Sequence, residues 1–200
     1  MKGLLGLITT ALISSASSAN AKSSIEVMLG HKNVGLDVKA SGDLTKEIHL
    51  FTVHRPSRNL NNQVSYFGLL SAGYRIIPEV SILLQAQVDT KEAAPRIGIE
   101  YDATRGNFRV YGETAVIYGA KPHFETLINL SYVNVLIEEV KLQSSLEAVA
   151  LFSPEGYEFS AQRARLSLLL DPLELGPAAN LSQTKEGGTT SVGLAVKVKF

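Results

Sequence analysis

The sequence predicts an all-β fold: a closed antiparallel up-and-down transmembrane β-barrel, with twelve strands as first choice and ten as second. Three observations carry this. Apolar and polar residues alternate along nearly the whole chain with a period of two, the spacing at which side chains fall on opposite faces of a strand. Turn residues interrupt that alternation at intervals of roughly a dozen positions. Aromatic residues fall in pairs near the two ends of strands, on the apolar face, at a separation close to the height of a membrane's apolar band.

The first residues are read apart from the fold. Lys2 supplies a positive start, Gly3–Ile13 an apolar stretch, and Ser18-Ala19-Asn20-Ala21 a small-x-small cleavage site, so residues 1–21 are expected to be a cleaved signal peptide. That leaves residues 22–200 as a single barrel domain. The apolar stretch is shorter than the roughly 20 residues of a spanning helix, and the chain holds no Cys, which excludes a lipoprotein anchor and disulfides alike. Lys+Arg number 19 and Asp+Glu 19, and losing Lys2 leaves the exported chain one charge negative, which gives no footing for nucleic acid.

Counting back from the end, strands are expected near 189–200, 173–184, 157–170, 138–152, 123–133, 107–118, 95–102, 79–90, 62–75 and 46–55. The remaining segment, Ser24–Ala40, changes parity from Ile25, Val27 and Leu29 to Val34, Leu36 and Val38 across Gly30-His31-Lys32-Asn33. One strand with a bulge there would make eleven, and two strands joined by a turn would make twelve. Single-chain barrels of this kind have even numbers, so the turn is expected; ten would leave the segment outside the barrel. Pro177 interrupts a predicted strand and suggests a bulge, since proline has no N–H to give the ladder. The connections are short, the longest candidate being Arg55–Asn61.

Alternation alone does not decide between a soluble barrel with its apolar face inward and a membrane barrel with it outward. The aromatics favour the membrane. Phe108 and Tyr118 are ten positions apart, which is about 33 Å along a strand and about 25 Å of membrane normal at a tilt of about 40°. Tyr66 with Tyr74, and Phe124 with Tyr132, give about 20 Å by the same arithmetic. These six and Phe200 are the candidate girdle.

The end of the chain, Ser191-Val192-Gly193-Leu194-Ala195-Val196-Lys197-Val198-Lys199-Phe200, is a strictly alternating strand closing on an aromatic residue. It resembles the C-terminal signature of small bacterial outer-membrane β-barrel proteins. The resemblance implies export to the outer membrane of a Gram-negative envelope, contact with outer-membrane lipid, and reading of this strand by the barrel-assembly machinery, with a monomer favoured. Twelve-stranded members of that class include narrow channels for acidic oligosaccharides and an outer-membrane phospholipase, but the motifs of neither can be placed on this chain.

With the apolar face toward lipid, the other face lines the lumen. From the fifth strand to the eighth it offers Glu79, Asp89, Arg96, Glu100, Asp102, Arg109, Glu113 and Glu125; from the ninth to the twelfth it offers Lys141, Glu147, Arg163, Arg165, Glu174, Lys197 and Lys199. An acidic arc would then face a basic one. That pattern reads either as a transverse field in a narrow channel or as an ion-pair network that rigidifies a plugged barrel. The candidate constriction is Arg163, Arg165, Lys141, Lys197, Lys199, Glu100, Asp102, Glu113 and Glu125, with the Arg163/Arg165 pair able to grip an anion.

No chemistry beyond this is expected. His31, His49, His54 and His123 have no recognisable Ser and acid beside them, and no Asp/Glu/His spacing suits a metal. The chain is therefore expected to be no enzyme and to need no cofactor. Its first functional reading is a porin-like channel or lumen binding site for small polar or charged solutes. A non-conducting structural envelope barrel is second, a lipid-modifying enzyme third, and a soluble periplasmic carrier of an apolar ligand fourth.

Overall fold

The computed structural model describes residues 21–59, 62–90, 92–119, 121–137 and 140–200. The signal peptide expected over residues 1–21 lies outside them but for Ala21. The strands are β1 (Lys22–Gly30), β2 (Asn33–Asp43), β3 (Ile48–His54), β4 (Ser57–Asn59), β5 (Val64–Ser65), β6 (Phe67–Ile77), β7 (Val80–Asp89), β8 (Ala93–Arg105), β9 (Phe108–Tyr118), β10 (Pro122–Ile137), β11 (Val140–Ser153), β12 (Gly156–Leu170), β13 (Leu173–Thr184) and β14 (Gly187–Lys199). All except β4 and β5 are staves of one antiparallel barrel. It closes where β1 pairs with both β2 and β14, with Ile25 opposite Val198 and Leu29 opposite Leu194. The twelve-strand expectation holds, and Gly30–Asn33 is a turn. With an even number of staves, the start of β1 and the end of β14 lie at one rim, called here the terminal rim.

Two local expectations change. The strand expected over 62–75 begins at Phe67, and the connection before it runs from Arg55 to Tyr66 rather than to Asn61. Within it, β4 takes up the pairing of β3 along β2, Ser57 opposite Gly35 and Asn59 opposite Asn33, and β5 folds back on β4. This small hairpin stands at the far rim, level with the first residues of β2. The bulge expected at Pro177 does not form: β12 and β13 keep one register on either side, Arg165 opposite Ala178 and Leu168 opposite Leu175, and only the rungs between are lost. The missing N–H faces β12, while Pro177 stays opposite Leu194 on the other side.

Pairing sorts the side chains into two faces. Outward lie Leu70, Leu84, Ile97, Ile99, Ile128, Leu146, Val192 and Leu194, all exposed. Such a belt on a closed sheet is stable only against lipid. Its aromatics collect toward the rims: Phe108 stands opposite Tyr132 near the terminal rim, and Phe124 opposite Phe152 near the far one. Tyr74, Tyr118 and Phe200 are also exposed, as is Tyr101. Tyr66 lies before β6, its ring folded over Gly68 and its hydroxyl 2.7 Å from Nδ1 of His54. Burial pushes its phenol up.

Inward lie a few buried apolar residues, among them Val53, Leu69, Leu83, Ala115 and Ile117, and most of the charge. The most deeply buried charge among the described residues is Arg96, the centre of a bracket on the β7–β10 wall. Arg96 donates to Gln87 Oε1 at 2.8 Å, to Glu113 Oε1 at 2.9 Å and to Glu125 Oε1 at 2.8 Å, and its side chain is 2% exposed. A buried guanidinium is tolerated because two carboxylates and an amide meet it. At the closing seam, β1 and β14 approach through Gly30 opposite Gly193. A Cβ on Gly193 would overlap the Leu29 carbonyl, so the seam admits only glycine there.

Two stability outcomes follow. Arg96→Ala leaves Glu113 and Glu125 buried without their partner and should cost about 3–5 kcal/mol, whereas Lys121→Ala, which removes an exposed rim pair with Glu155, should cost less than about 1 kcal/mol. Gly193→Val should cost about 1–3 kcal/mol by overpacking. Urea unfolding of the barrel in detergent, followed by loss of its heat-resistant compact band on gels, measures all three.

Candidate functional site: the ionic lumen

The lumen charge is not divided into an acidic arc facing a basic one. It is organised as short ion-pair groups, some of which cross the lumen. Asp37 and Lys39 on β2 point inward because Leu36 and Val38 point out, and Arg55 points inward two residues beyond Val53. From across the barrel come Glu147 on β11 and Arg163 on β12, directly opposite each other in register.

These side chains close a ring of alternating charge. Arg55 Nε donates to Asp37 Oδ2 at 2.9 Å, and Arg55 Nη2 lies 3.8 Å from Glu147 Oε1. Arg163 Nη1 is 3.4 Å from Glu147 Oε1 and 3.7 Å from Asp37 Oδ2. Lys39 Nζ stands 3.5 Å from Asp37 Oδ2. The open surface of this group lies on the cations: the side chains of Lys39, Arg163 and Arg55 are 33%, 27% and 20% exposed, against 10% for Asp37 and 11% for Glu147. With three cations and two carboxylates, the group presents positive charge to whatever occupies the lumen.

Arg165 pairs with Glu26 on β1, so Arg163 and Arg165 do not converge on one point. Met28, Ala178 and Ala195 pack beside that pair, and Asn180 Nδ2 lies 2.8 Å from Met28 Sδ. Nearer the terminal rim, Lys197 and Lys199 both reach Glu174, at 3.3 and 3.4 Å. Lys141 stands exposed at the start of β11.

On the opposite wall, Glu113 and Glu125 belong to the Arg96 bracket. Tyr111 extends it, its hydroxyl donating to Glu113 Oε2 at 2.9 Å with Glu100 Oε2 3.4 Å away. His49 Nε2, on β3, meets Glu100 Oε1 at 2.7 Å and so bridges the lumen from β3 to β8. Its ring lies where a Cβ on Gly73 would be. Asp102 is engaged by Arg109 through two hydrogen bonds, at 2.8 and 2.6 Å. Glu79 lies in the β6–β7 turn, its carbonyl accepting from Asp102 N–H at 2.8 Å, and Asp89 ends β7.

Sequence reading passed over Glu26, Asp37, Lys39 and Arg55. The first three stand at polar positions of alternating runs and were within reach of the same parity argument. Arg55, just before Pro56, reads as loop in the sequence.

The fold is shared with proteins of known structure. The KdgM porin superposes with a TM-score of 0.55 at 13% identity, covering 90% of this chain and 99% of that one. LpxR from Salmonella typhimurium gives 0.56 at 8% identity, covering 88% and 99%. The NanC porin gives 0.56 at 8% identity, covering 90% and 98%. No family model matches the sequence, and no curated protein matches it. At these identities the likeness is one of fold, that of the bacterial outer-membrane β-barrel proteins.

Proposed function

We propose that this chain is an integral outer-membrane barrel, standing in outer-membrane lipid as a monomer and acting without catalysis. Its lumen is a narrow passage for small polar or charged solutes, with a preference for anions. The observation that carries the reading is the uneven exposure of the ring: Lys39, Arg55 and Arg163 keep open surface while Asp37 and Glu147 are nearly covered. A solute in the lumen therefore meets donors and positive charge first, and an anion gains where a cation is repelled. A structure of the KdgM porin is described as a complex with disordered oligogalacturonate, and the shared fold makes an anionic solute a reasonable one to try. The second reading, a non-conducting structural barrel, draws on the same ring, because Arg55 and Glu147 meet across the lumen.

Planar-bilayer recording of the purified protein separates the two. Single-channel steps with a reversal potential on the anion side are expected, and Lys39→Ala combined with Arg163→Ala should move that potential toward zero. Absence of steps from the folded protein would leave the structural reading.

A further inference from the structure

The ring has one arm that strand alternation alone does not provide. β3 and β11 stand six places apart in a ring of twelve staves, which puts them on opposite walls. Arg55 follows the last residue of β3, and its guanidinium nevertheless reaches Glu147 on β11.

The backbone at Arg55 is held on both sides. Its N–H donates to the Phe67 carbonyl at 2.7 Å, and the Phe67 N–H donates to the Arg55 carbonyl at 3.2 Å. On the other flank, the Leu36 N–H donates to the Pro56 carbonyl at 3.0 Å. Beyond this point the hairpin of β4 and β5 continues, but the base of the arm is part of the barrel wall. The side chain is then held by two carboxylates, Asp37 beside it and Glu147 across from it. The fork of an arginine makes both contacts at once, and a lysine has a single charged centre with which to do so.

This arm divides the lumen at its level. On one side lie β13, β14 and β1, where Met28, Ala178 and Ala195 pack together and Arg165 pairs with Glu26. On the other side runs the β6–β10 wall, where the Arg96 bracket draws its charges flat against neighbouring strands.

We infer that Arg55 is the crossbar that sets the size limit of the lumen, leaving solutes the space between its side chain and the β6–β10 wall. The inference rests on the passage proposed above and names the residue that selects by size. Arg163 touches the same two carboxylates, at 3.4 Å from Glu147 and 3.7 Å from Asp37, but it reaches from β12, beside Glu147 and four places from β2, whereas Arg55 spans the six places from β3 to β11.

The test compares the wild-type protein with Arg55→Ala, Arg55→Lys and the rim control Lys121→Ala. Single-channel conductance is read in planar bilayers, and proteoliposome swelling is read in neutral sugars of increasing size. Arg55→Ala should raise conductance several-fold and admit sugars that the wild type excludes; Arg55→Lys should fall between, and Lys121→Ala should match the wild type. Should Arg55→Ala fail to give the heat-resistant folded band, Glu147→Gln releases the far end of the arm at nearly constant volume and should also raise conductance. A wild type that conducts, with an unchanged conductance and sugar cut-off on removing the arm, overturns the crossbar and leaves the passage standing. A closed wild type opened by Arg55→Ala supports the crossbar. A wild type and variants that are all folded and all closed overturn the passage and the crossbar together.

Discussion

Everything else in this molecule depends on the pairing of its first strand with its last. In hydrocarbon an unpaired backbone N–H or C=O costs several kcal/mol, so a sheet that spans a membrane must have no edge there. β1 meets that condition by holding β14 on one side and β2 on the other. The glycine pair at Gly30 and Gly193 lets the two backbones come close enough near the far rim. Closure fixes the parity of every strand, and parity in turn decides which side chains meet lipid and which meet one another inside.

Once the ring is closed, the inner face has to settle its charge within a confined lumen. It does so in two ways. On the β7–β10 wall, Arg96 is almost entirely covered and matched by Glu113 and Glu125, which makes it a fixed part of the wall. Across the β2, β3, β11 and β12 corners the contacts are longer and wetter, and the cations hold the exposed surface. The first arrangement serves packing. The second leaves charge available to a solute, and it lies where opposite walls are tied together. One set of residues therefore braces the barrel and, in the passage proposed above, is what a solute meets.

Much of the fold was legible in the sequence because a period of two is a local property. Val80 to Asp89, or Leu173 to Thr184, announces a strand and its two faces without reference to any other segment. The parity change at Gly30–Asn33 even decided between a turn and a bulge, through the requirement for an even number of staves. What parity does not contain is register and circumference. Arg165 finds Glu26, and Arg163 finds Asp37, across sequence separations that no short pattern reports. Two arcs of opposite charge are visible in the sequence, but two of the four acids that meet the basic arc, Glu26 and Asp37, come from β1 and β2 and lie outside both arcs. Arg55 was hidden for another reason: Pro56 after it reads as the end of a strand, whereas β4 continues the same pairing along β2.

The central claim is that the apolar face looks to lipid and the charged face to a water-filled lumen. The chain has no cysteine, so single cysteines report on a silent background. Ser145 and Leu146 are adjacent on β11 and face opposite ways, Ser145 opposite Arg165 and Leu146 opposite Ala164. In proteoliposomes, Ser145→Cys should react with a small charged methanethiosulfonate and Leu146→Cys only with a lipid-partitioning maleimide. The reverse pattern, with the charged reagent modifying residue 146 and not residue 145, would contradict the account.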